Sequence, residues 1–349
     1  MNFSPAIVIA LAAALFSPAH SGAVEPDSAA LRARAAALET THLMIASDTP
    51  GIELYLRNKR PPGHVSTAQR TLLFVHGATY PAETAFDLPL DGLSWMDYIA
   101  AQGWDVWLVD LRGYGRSTRP PEMSRPADEN TPIVTTDVAI RDVGSAVAHI
   151  LRARNIPRIN LMGWSWGTTI MGGFAAANPA VVERLVLFAP VWLRDTPSQL
   201  AGASPLGAYR EVSRDAARQR WLRDVPESEA ATLIPHGWFE AWADATWATD
   251  PRAAQTGLLR APNGVIHDVV NYWMKGTPLY DPARITAPTL VIYAEWDQDT
   301  PPYMAHAVFG LLKNAATRRM VAIGEGTHTV VMEKNRLQLF REVQLFLEE

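Results

Sequence analysis

Cysteine is absent from this chain, and basic residues are too few to outnumber acidic ones. The absence of cysteine excludes disulfide bonds, a thiol nucleophile and thiolate-bound zinc. The 36 acidic and 31 basic residues give a formal net charge of −5, which provides no attraction to a nucleic-acid backbone. No apolar run is long enough to cross a bilayer core of about 30 Å as a helix. We therefore expect neither a nucleic-acid partner nor a stable membrane span.

The composition is otherwise that of a folded globular protein. Hydrophobic residues make up 48% of the chain and charged residues 19%, which permits a sizeable core and excludes wholesale disorder. At roughly 150 residues per domain, the length suggests one large domain with an insertion, or two modest domains. The 12 tryptophans are unusual. Because each brings a large apolar ring with one polar N–H, they indicate either a thick core or an aromatic-lined pocket.

The N-terminus has the pattern of a secretory signal peptide. Residues 6–16 form an uncharged apolar run, a Ser-Pro pair ends it, and small residues at 21–23 stand where a signal peptidase would cut. We predict a signal peptide over residues 1–23 and a secreted or periplasmic mature protein. The segment before the run has no Lys or Arg, so a buried helix of a cytosolic protein is the alternative.

Short apolar runs alternate with helical stretches along most of the chain, which is typical of helices covering a mostly parallel sheet. Strands are predicted at residues 41–46, 52–57, 71–76, 105–109, 159–162, 185–188, 289–293 and 319–323. Helices are predicted at residues 28–38, 94–102, 136–154, 166–178, 303–312 and 330–347.

This alternation stops between Val191 and Pro282. The segment contains several predicted helices and half of the tryptophans, and a loop of that length must carry structure of its own. We therefore predict a helical cap over residues 191–282, inserted between two parts of one core at residues 24–190 and 283–349. The arginine-rich stretch 210–223 is interleaved with acids, and we expect it to be a solvated helix face.

The most specific local pattern is Gly163-Trp164-Ser165-Trp166-Gly167, a G-x-S-x-G sequence. It follows a predicted strand and opens a predicted helix, which is the context that a nucleophilic serine on a sharp turn requires. Side chains at the two glycine positions would collide with neighbouring elements. The alternative is a loop serine that two glycines flank by chance.

A serine hydroxyl needs a base and an acid to become a strong nucleophile. Among nine histidines, His328 stands in a glycine-rich loop just past the last predicted strand, whereas His306 lies on a predicted helix face. Three carboxylates follow the strand before it: Asp297 is directly on the turn, Asp299 is its closest rival and Glu295 is third. A histidine base of ordinary pKa, about 6.5, predicts activity that rises through mildly acidic pH.

Acyl transfer also needs N–H donors for the developing oxyanion. We expect the backbone N–H groups of Trp166 and Ala78 to supply them, the second from the loop after the strand LLFV. His76 precedes that loop, and we interpret it as a bracing residue.

Together these residues resemble the α/β-hydrolase superfamily, and the likeness extends over essentially the whole mature chain. It also includes Asp110-Leu111-Arg112-Gly113-Tyr114-Gly115-Arg116-Ser117, a D-x-R-G-x-G-x-S stretch. The resemblance implies an eight-stranded mostly parallel sheet with helices on both faces and an inserted cap. It further implies hydrolysis through an acyl-enzyme, without a metal or organic cofactor.

The S-W-G of the serine turn is similar to that of proline iminopeptidases, although those enzymes carry H-G-G-P-G where this chain has HGATY. Our main hypothesis is an esterase acting on a small-molecule ester, and the alternatives are an aminopeptidase and a non-catalytic binding module. If the tryptophans form a pocket for a bulky apolar or aromatic ester, the candidate substrate-binding residues are Trp164, Trp192, Trp238, Trp242 and Trp296. Packing of the cap explains them equally well.

Overall fold

The computed structural model describes Met1 and residues 28–198 and 205–349. Apart from Met1, the predicted signal peptide, residues 1–23, lies outside the described residues. Within the described ranges, no helix has both the length and the apolar character needed to cross a membrane.

Helices in the described residues are α1 Ser28–Ala36, α2 Ala82–Phe86, α3 Trp95–Ala100, α4 Thr136–Arg154, α5 Trp166–Ala177, α6 Arg214–Trp221, α7 Glu227–Ala230, α8 Trp238–Trp247, α9 Ala253–Thr256, α10 Gly264–Asn271, α11 Pro302–Leu311 and α12 Arg336–Leu347. Strands are β1 Glu39–Ala46, β2 Glu53–Arg60, β3 Thr71–Val75, β4 Asp105–Val109, β5 Ile159–Trp164, β6 Val182–Phe188, β7 Tyr209–Val212, β8 Leu259–Pro262, β9 Thr289–Ala294 and β10 Arg318–Ile323.

The main sheet has eight strands in the order β1-β2-β4-β3-β5-β6-β9-β10. The pairs β1–β2 and β2–β4 are antiparallel, and the other neighbours are parallel. This arrangement confirms the predicted eight-stranded, mostly parallel sheet. All of its parallel strands end at one edge, where ligands bind in open sheets of this kind.

The central strands are apolar throughout because both faces of the sheet are covered. All five residues of β3 are buried. Phe74 packs into one core with Trp95 of α3, whereas Leu73 packs into the opposite core with Trp107 of β4. Alternate residues of β3 thus pack against the helix layers on opposite faces of the sheet. This explains why the strand is a continuous apolar run without alternating polar residues.

The structure adds a short helix, α2, to the predicted elements and differs from them in two further places. The segment 191–282 contains a short antiparallel pair, β7 with β8, besides its helices. Each strand has only four residues, too few for a periodic pattern to distinguish. The predicted helix 330–347 is interrupted because Glu333 adopts an extended backbone, with φ −112° and ψ 174°.

Candidate active site

Ser165 lies on the turn between β5 and α5 in a conformation that few residues adopt. Its φ of 58° and ψ of −124° fall outside the strand and helix regions. The turn is possible because its flanking residues are glycines. A Cβ at Gly163 would lie 2.1 Å from the Gly167 carbonyl oxygen, and one at Gly167 would lie 2.6 Å from that of Val75. The strained serine is thereby held at the carboxyl edge of the sheet, next to a pocket that it lines.

His328 and Asp297 form a hydrogen-bonded pair on the loops that follow β10 and β9. The distance between His328 Nδ1 and Asp297 Oδ2 is 2.8 Å, and His328 borders the same pocket as Ser165. The buried carboxylate also accepts hydrogen bonds from the backbone N–H of Asp299 at 2.9 Å and from the N–H and hydroxyl of Thr300, both at 2.8 Å. Since Nδ1–H donates to this carboxylate, Nε2 of neutral His328 is an acceptor.

The environment raises the pKa of His328. Burial alone lowers this pKa, but the negative charge of Asp297 and the hydrogen bond between the two residues outweigh it. The pKa therefore lies above the ordinary value of 6.5. The pH range over which activity is expected to rise is therefore shifted from mildly acidic pH toward neutral pH.

The two other carboxylates of the acid turn have different partners. Asp299 Oδ2 lies 2.8 Å from both Nε and Nη2 of Arg220. Glu295 lies on the exposed side of the turn, where it accepts a hydrogen bond from the Glu325 backbone N–H at 3.0 Å. Of the three candidate acids, Asp297 is the one hydrogen-bonded to His328.

The loop after β3 packs directly against the serine turn. A Cβ at Gly77 would lie 3.0 Å from Ser165 Cβ, so glycine permits this close approach. Ala78 follows it and borders the pocket. In the described part of the chain, no hydrogen bond uses the backbone N–H of Ala78 or of Trp166. Both predicted oxyanion donors are therefore without a competing internal acceptor.

The orientation of this loop is fixed through the Ala78 carbonyl. That oxygen accepts a hydrogen bond from the Tyr114 hydroxyl at 2.8 Å and from Arg210 Nη2 at 2.7 Å. The same Nη2 donates to the Thr79 hydroxyl at 2.7 Å. Since Arg210 belongs to β7, the segment 191–282, predicted as a cap, takes part in holding the loop.

His76 holds the loop after β3 in place through both of its ring nitrogens. Its Nε2 accepts a hydrogen bond from the Leu111 backbone N–H at 3.1 Å, and its Nδ1 lies 2.7 Å from the Gly77 carbonyl oxygen. Burial lowers the pKa of His76 to about 4, so the ring is neutral at physiological pH. Both ring nitrogens have structural partners, as expected for a bracing residue.

Comparison with known proteins identifies the family. Residues 70–335, well over half of the chain, match the family described as alpha/beta hydrolase fold. The chain belongs to the α/β-hydrolase family. Two solved structures share its fold, each with a TM-score of 0.57. One is a thermophilic esterase from Thermogutta terrifontis, which is 18% identical and matches over 88% of this chain and 98% of that chain. The other is 2-hydroxy-6-oxo-6-phenylhexa-2,4-dienoate hydrolase from Rhodococcus sp. strain RHA1, which is 14% identical and matches over 89% of this chain and 100% of that chain.

A sequence relative of this hydrolase is the proline iminopeptidase of Heyndrickxia coagulans. The two are 26% identical over 134 residues, which is 37% of this chain and 41% of the relative. The match thus spans less than half of the relative's length.

The pocket of this hydrolase is bordered by aromatic rings. Two of the predicted tryptophans line it, Trp164 and Trp242. Trp164 Nε1 donates to the His328 carbonyl oxygen at 3.1 Å, which fixes the ring beside the imidazole. Two further aromatic residues complete the wall, Tyr80 and Trp221, whose ring centroids lie 4.7 Å and 5.2 Å from that of Trp242. Sequence reasoning did not select these two.

The other three predicted tryptophans lie outside the lining of this pocket. Trp192 packs edge-on against Tyr280, with ring centroids 5.4 Å apart. Trp238 lies beneath the guanidinium of Arg336, whose carbon is 4.5 Å from the ring centroid. Trp296 is half-buried on the acid turn. Trp192 and Trp238 thus pack against other side chains and do not line this pocket.

The arginine-rich stretch 210–223 is only partly the solvated face that was expected. Arg214 and Arg218 are exposed and form surface ion pairs. Arg210 and Arg220 instead turn inward, one to the loop after β3 and the other to the pocket. Helical periodicity does not distinguish these inward positions, because the chain changes from β7 to α6 within the stretch.

Glu333 is a buried carboxylate that no sequence pattern singled out. Its Oε1 accepts a hydrogen bond from Trp221 Nε1 at 2.8 Å and another from the Thr327 hydroxyl, and its Oε2 accepts from the Thr327 backbone N–H at 3.0 Å. Burial raises the pKa of Glu333 to about 7. Because Thr327 immediately precedes His328, this carboxylate connects a pocket wall to the histidine loop.

Residues 28–198 and 205–349 contain no group of three or more His, Asp or Glu placed to hold a metal ion. The polar side chains that face the pocket come from Thr79, Ser165, Arg220, Asp299, His328 and Thr329. They are suited to proton transfer and hydrogen bonding.

Proposed function

We propose that this hydrolase cleaves carboxylic esters through an acyl-enzyme intermediate, with Ser165 as nucleophile, His328 as general base and acid, and Asp297 as its orienting partner. The observation that supports this best is the 2.8 Å contact between His328 and Asp297 above the pocket that the strained Ser165 lines. The chain order Ser, Asp, His and the roles proposed for the three residues are those of a serine hydrolase triad on this fold.

In the first half-reaction, His328 Nε2 takes the proton of the Ser165 hydroxyl as Oγ bonds to the ester carbonyl carbon. The carbonyl π electrons move onto oxygen, where the N–H groups of Ala78 and Trp166 stabilise the charge. Asp297 stabilises the imidazolium. When the intermediate collapses, the bond to the alcohol oxygen breaks, and that oxygen takes the proton from His328.

In the second half-reaction, water replaces the alcohol. His328 takes a proton from the water as its oxygen bonds to the acyl carbon, and a second tetrahedral intermediate forms in the same oxyanion site. Collapse returns the proton to Ser165 Oγ and releases the carboxylic acid. The cycle requires no metal or organic cofactor.

The substrate that best suits the pocket is a small ester with an aromatic or bulky apolar group. Tyr80, Trp164, Trp221 and Trp242 offer ring faces and edges for such a group. The two charged side chains in the wall, Arg220 and Asp299, neutralise each other through their hydrogen bonds.

The aminopeptidase alternative draws support from the proline iminopeptidase relative. It needs carboxylates in the pocket to bind a free α-amine, and Glu240 and Asp244 were the candidates. Their side chains are 59% and 70% exposed and pair with Arg218 and Arg214 on the outside of the inserted segment. This placement favours the esterase.

Labelling with a fluorophosphonate tests the proposal and the binding-module alternative together. We expect the wild-type protein to be labelled at Ser165 and Ser165→Ala to lose both labelling and ester hydrolysis. Activity toward aryl esters should exceed activity toward short acetyl esters. Full turnover by Ser165→Ala would overturn the assignment of the nucleophile, and an enzyme that requires a free substrate amine would be the aminopeptidase.

We also propose that the protein acts outside the cytoplasm, on the basis of the signal-peptide pattern in residues 1–23. Expression of the full chain with N-terminal sequencing tests this. We expect a mature N-terminus close to Val24 in the exported fraction, whereas an uncleaved cytosolic product would contradict the proposal.

A further inference from the structure

Two cavities meet at Ser165. Both are bordered by Ser165, Ala78, Arg220 and Asp299. The first cavity is the aromatic pocket described above, and it also contains His328. The second has an apolar side formed by Trp166, Val191, Val265, Val269 and Trp273, and its remaining wall includes Arg194, Ser198 and Thr300. The predicted nucleophile therefore stands between two cavities of different chemical character.

The ion pair between Arg220 and Asp299 belongs to the walls of both cavities. Arg220 Nε lies 3.0 Å and 2.8 Å from the two carboxylate oxygens of Asp299. The positive charge of Arg220 outweighs the effect of burial and lowers the pKa of Asp299, so the carboxylate is ionised. The backbone N–H of Asp299 donates a hydrogen bond to the Asp297 carboxylate, which fixes the Arg220–Asp299 pair to the turn after β9. A bidentate pair of this kind holds both side chains in one geometry, so it is suited to form a fixed boundary between the two cavities.

We propose that the Arg220–Asp299 pair divides the substrate site into a leaving-group pocket and an acyl pocket, so that the preferred ester carries its aromatic group on the alcohol and an aliphatic chain on the acid. This inference rests on the proposed ester hydrolysis and specifies its substrate.

The direction follows from proton transfer. The alcohol oxygen takes its proton from His328 as the bond to the acyl carbon breaks, so the alcohol must lie next to the imidazole. Among the described residues, His328 borders the first cavity and is not part of the second. The alcohol portion consequently occupies the first cavity.

The position of the acyl portion follows from the oxyanion donors. Ala78 borders both cavities, whereas Trp166 borders the second. A carbonyl oxygen between these two N–H groups directs its acyl chain into the second cavity once the alcohol occupies the first. Valine side chains there suit an aliphatic chain, and the rings of Tyr80, Trp221 and Trp242 on the other side suit a planar aromatic alcohol.

Two isomeric esters with similar alkyl leaving groups test this direction in the wild-type enzyme. Benzyl butanoate carries its ring on the alcohol, and propyl phenylacetate carries its ring on the acid. We expect kcat/KM for benzyl butanoate to be at least tenfold higher. Equal values or the reverse order would overturn the inference, as would fluorophosphonate labelling of Ser165 without hydrolysis of either ester. Absence of labelling would instead contradict the proposed nucleophile.

Two steric variants test each cavity separately. Val269→Phe narrows the second cavity and should lower the kcat/KM ratio of benzyl butanoate to benzyl acetate at least tenfold. Ala217→Phe, in the wall of the first cavity, should lower the ratio of benzyl acetate to methyl acetate by a similar factor. Each ratio is independent of the concentration of folded enzyme. Interchanged effects, or none, would overturn the assignment.

The divider is tested by removing both charges together in Arg220→Ala/Asp299→Asn. Joining the two cavities should reduce the preference between the isomeric esters at least fivefold. An unchanged preference would show that the pair does not set the direction. Labelling of Ser165 in the double variant checks that the serine turn is intact.

Discussion

The indole N–H of Trp221 donates to the buried carboxylate of Glu333 at 2.8 Å. Trp221 ends α6 and forms part of the pocket wall, while Glu333 lies in the extended link between the histidine loop and α12. The same carboxylate accepts two hydrogen bonds from Thr327, the residue before His328. A wall of the pocket and the loop that carries the proposed base are thus fixed to one another by a single side chain.

Glu333→Gln is expected to lower kcat about tenfold, which corresponds to ~1.4 kcal/mol of activation free energy. The amide replaces one of the two carboxylate oxygens with an NH₂ group, which cannot accept a hydrogen bond from Trp221 or Thr327. The loop before His328 or the Trp221 ring must therefore shift. Trp221→Phe is the matched control, because it keeps an aromatic ring and removes the N–H donor. Steady-state kinetics should show a similar kcat loss in both variants, with less than the additive effect in the double variant. Fully additive losses would argue against the coupling.

The stability of the folded protein should also depend on pH through Glu333. Its pKa is about 7 in the folded protein against an ordinary value of 4.5, so the unfolded chain releases this proton first as the pH rises. Raising the pH from below 4.5 to above 7 therefore lowers the free energy of unfolding by ~3 kcal/mol in total through this residue. Urea unfolding at pH 5 and pH 8 should show a smaller loss in Glu333→Gln than in the wild type. Identical pH dependence in the two proteins would contradict the assignment.

Asp297→Asn and Asp299→Asn separate the two neighbouring acids of the turn. Asp297→Asn should lower kcat by a factor of about 10³–10⁴, because an amide at this position no longer fixes the His328 tautomer or stabilises the imidazolium. Asp299→Asn keeps its backbone N–H bond to Asp297 and should reduce kcat far less. Kinetics on one activated ester would measure both. Equal losses would show that Asp299 shares the role of Asp297.

Much of this architecture could be predicted from the sequence because it depends on patterns local in the chain. Continuous apolar runs such as β3 identify strands covered on both faces, and the glycines around Ser165 identify the turn that holds it. The family match over residues 70–335 agrees with that prediction of the fold. Placement of His328 and Asp297 followed from their positions just after strands, since the ends of parallel strands meet at one edge.

The rest of the site could not be predicted because it depends on contacts between distant elements. Trp221, Glu333 and Arg210 meet their partners across sequence separations of more than one hundred residues. The half-buried Arg210 on a short strand and the exposed Arg214 on the next helix have the same residue type and similar neighbours in sequence. The tryptophans illustrate the same point, since composition indicates an aromatic-rich interior without showing which rings face the pocket.

The pH dependence of kcat/KM should report the raised pKa of His328. The base must be neutral to take the Ser165 proton, so activity is lost as the pH falls through this pKa. Because the Asp297 charge and hydrogen bond raise the pKa above 6.5, the midpoint of the acidic limb should lie above that value in the wild type. In Asp297→Asn the residual activity should have its midpoint at lower pH. A midpoint that does not move between the two enzymes would contradict the proposed pairing.

Arg210→Met should reduce kcat about tenfold and leave KM within about twofold. Arg210 does not line the pocket but donates at 2.7 Å to the Ala78 carbonyl, so its loss should disturb the oxyanion N–H without removing a substrate contact. Tyr114→Phe is the matched control, because it removes the second hydrogen bond to the same carbonyl, at 2.8 Å, and keeps the ring. If Arg210 acts through the loop, the two variants should lower kcat in the same direction and less than additively when combined. A selective rise in KM for Arg210→Met, with kcat unchanged, would place Arg210 in direct contact with the substrate and contradict its action through Ala78.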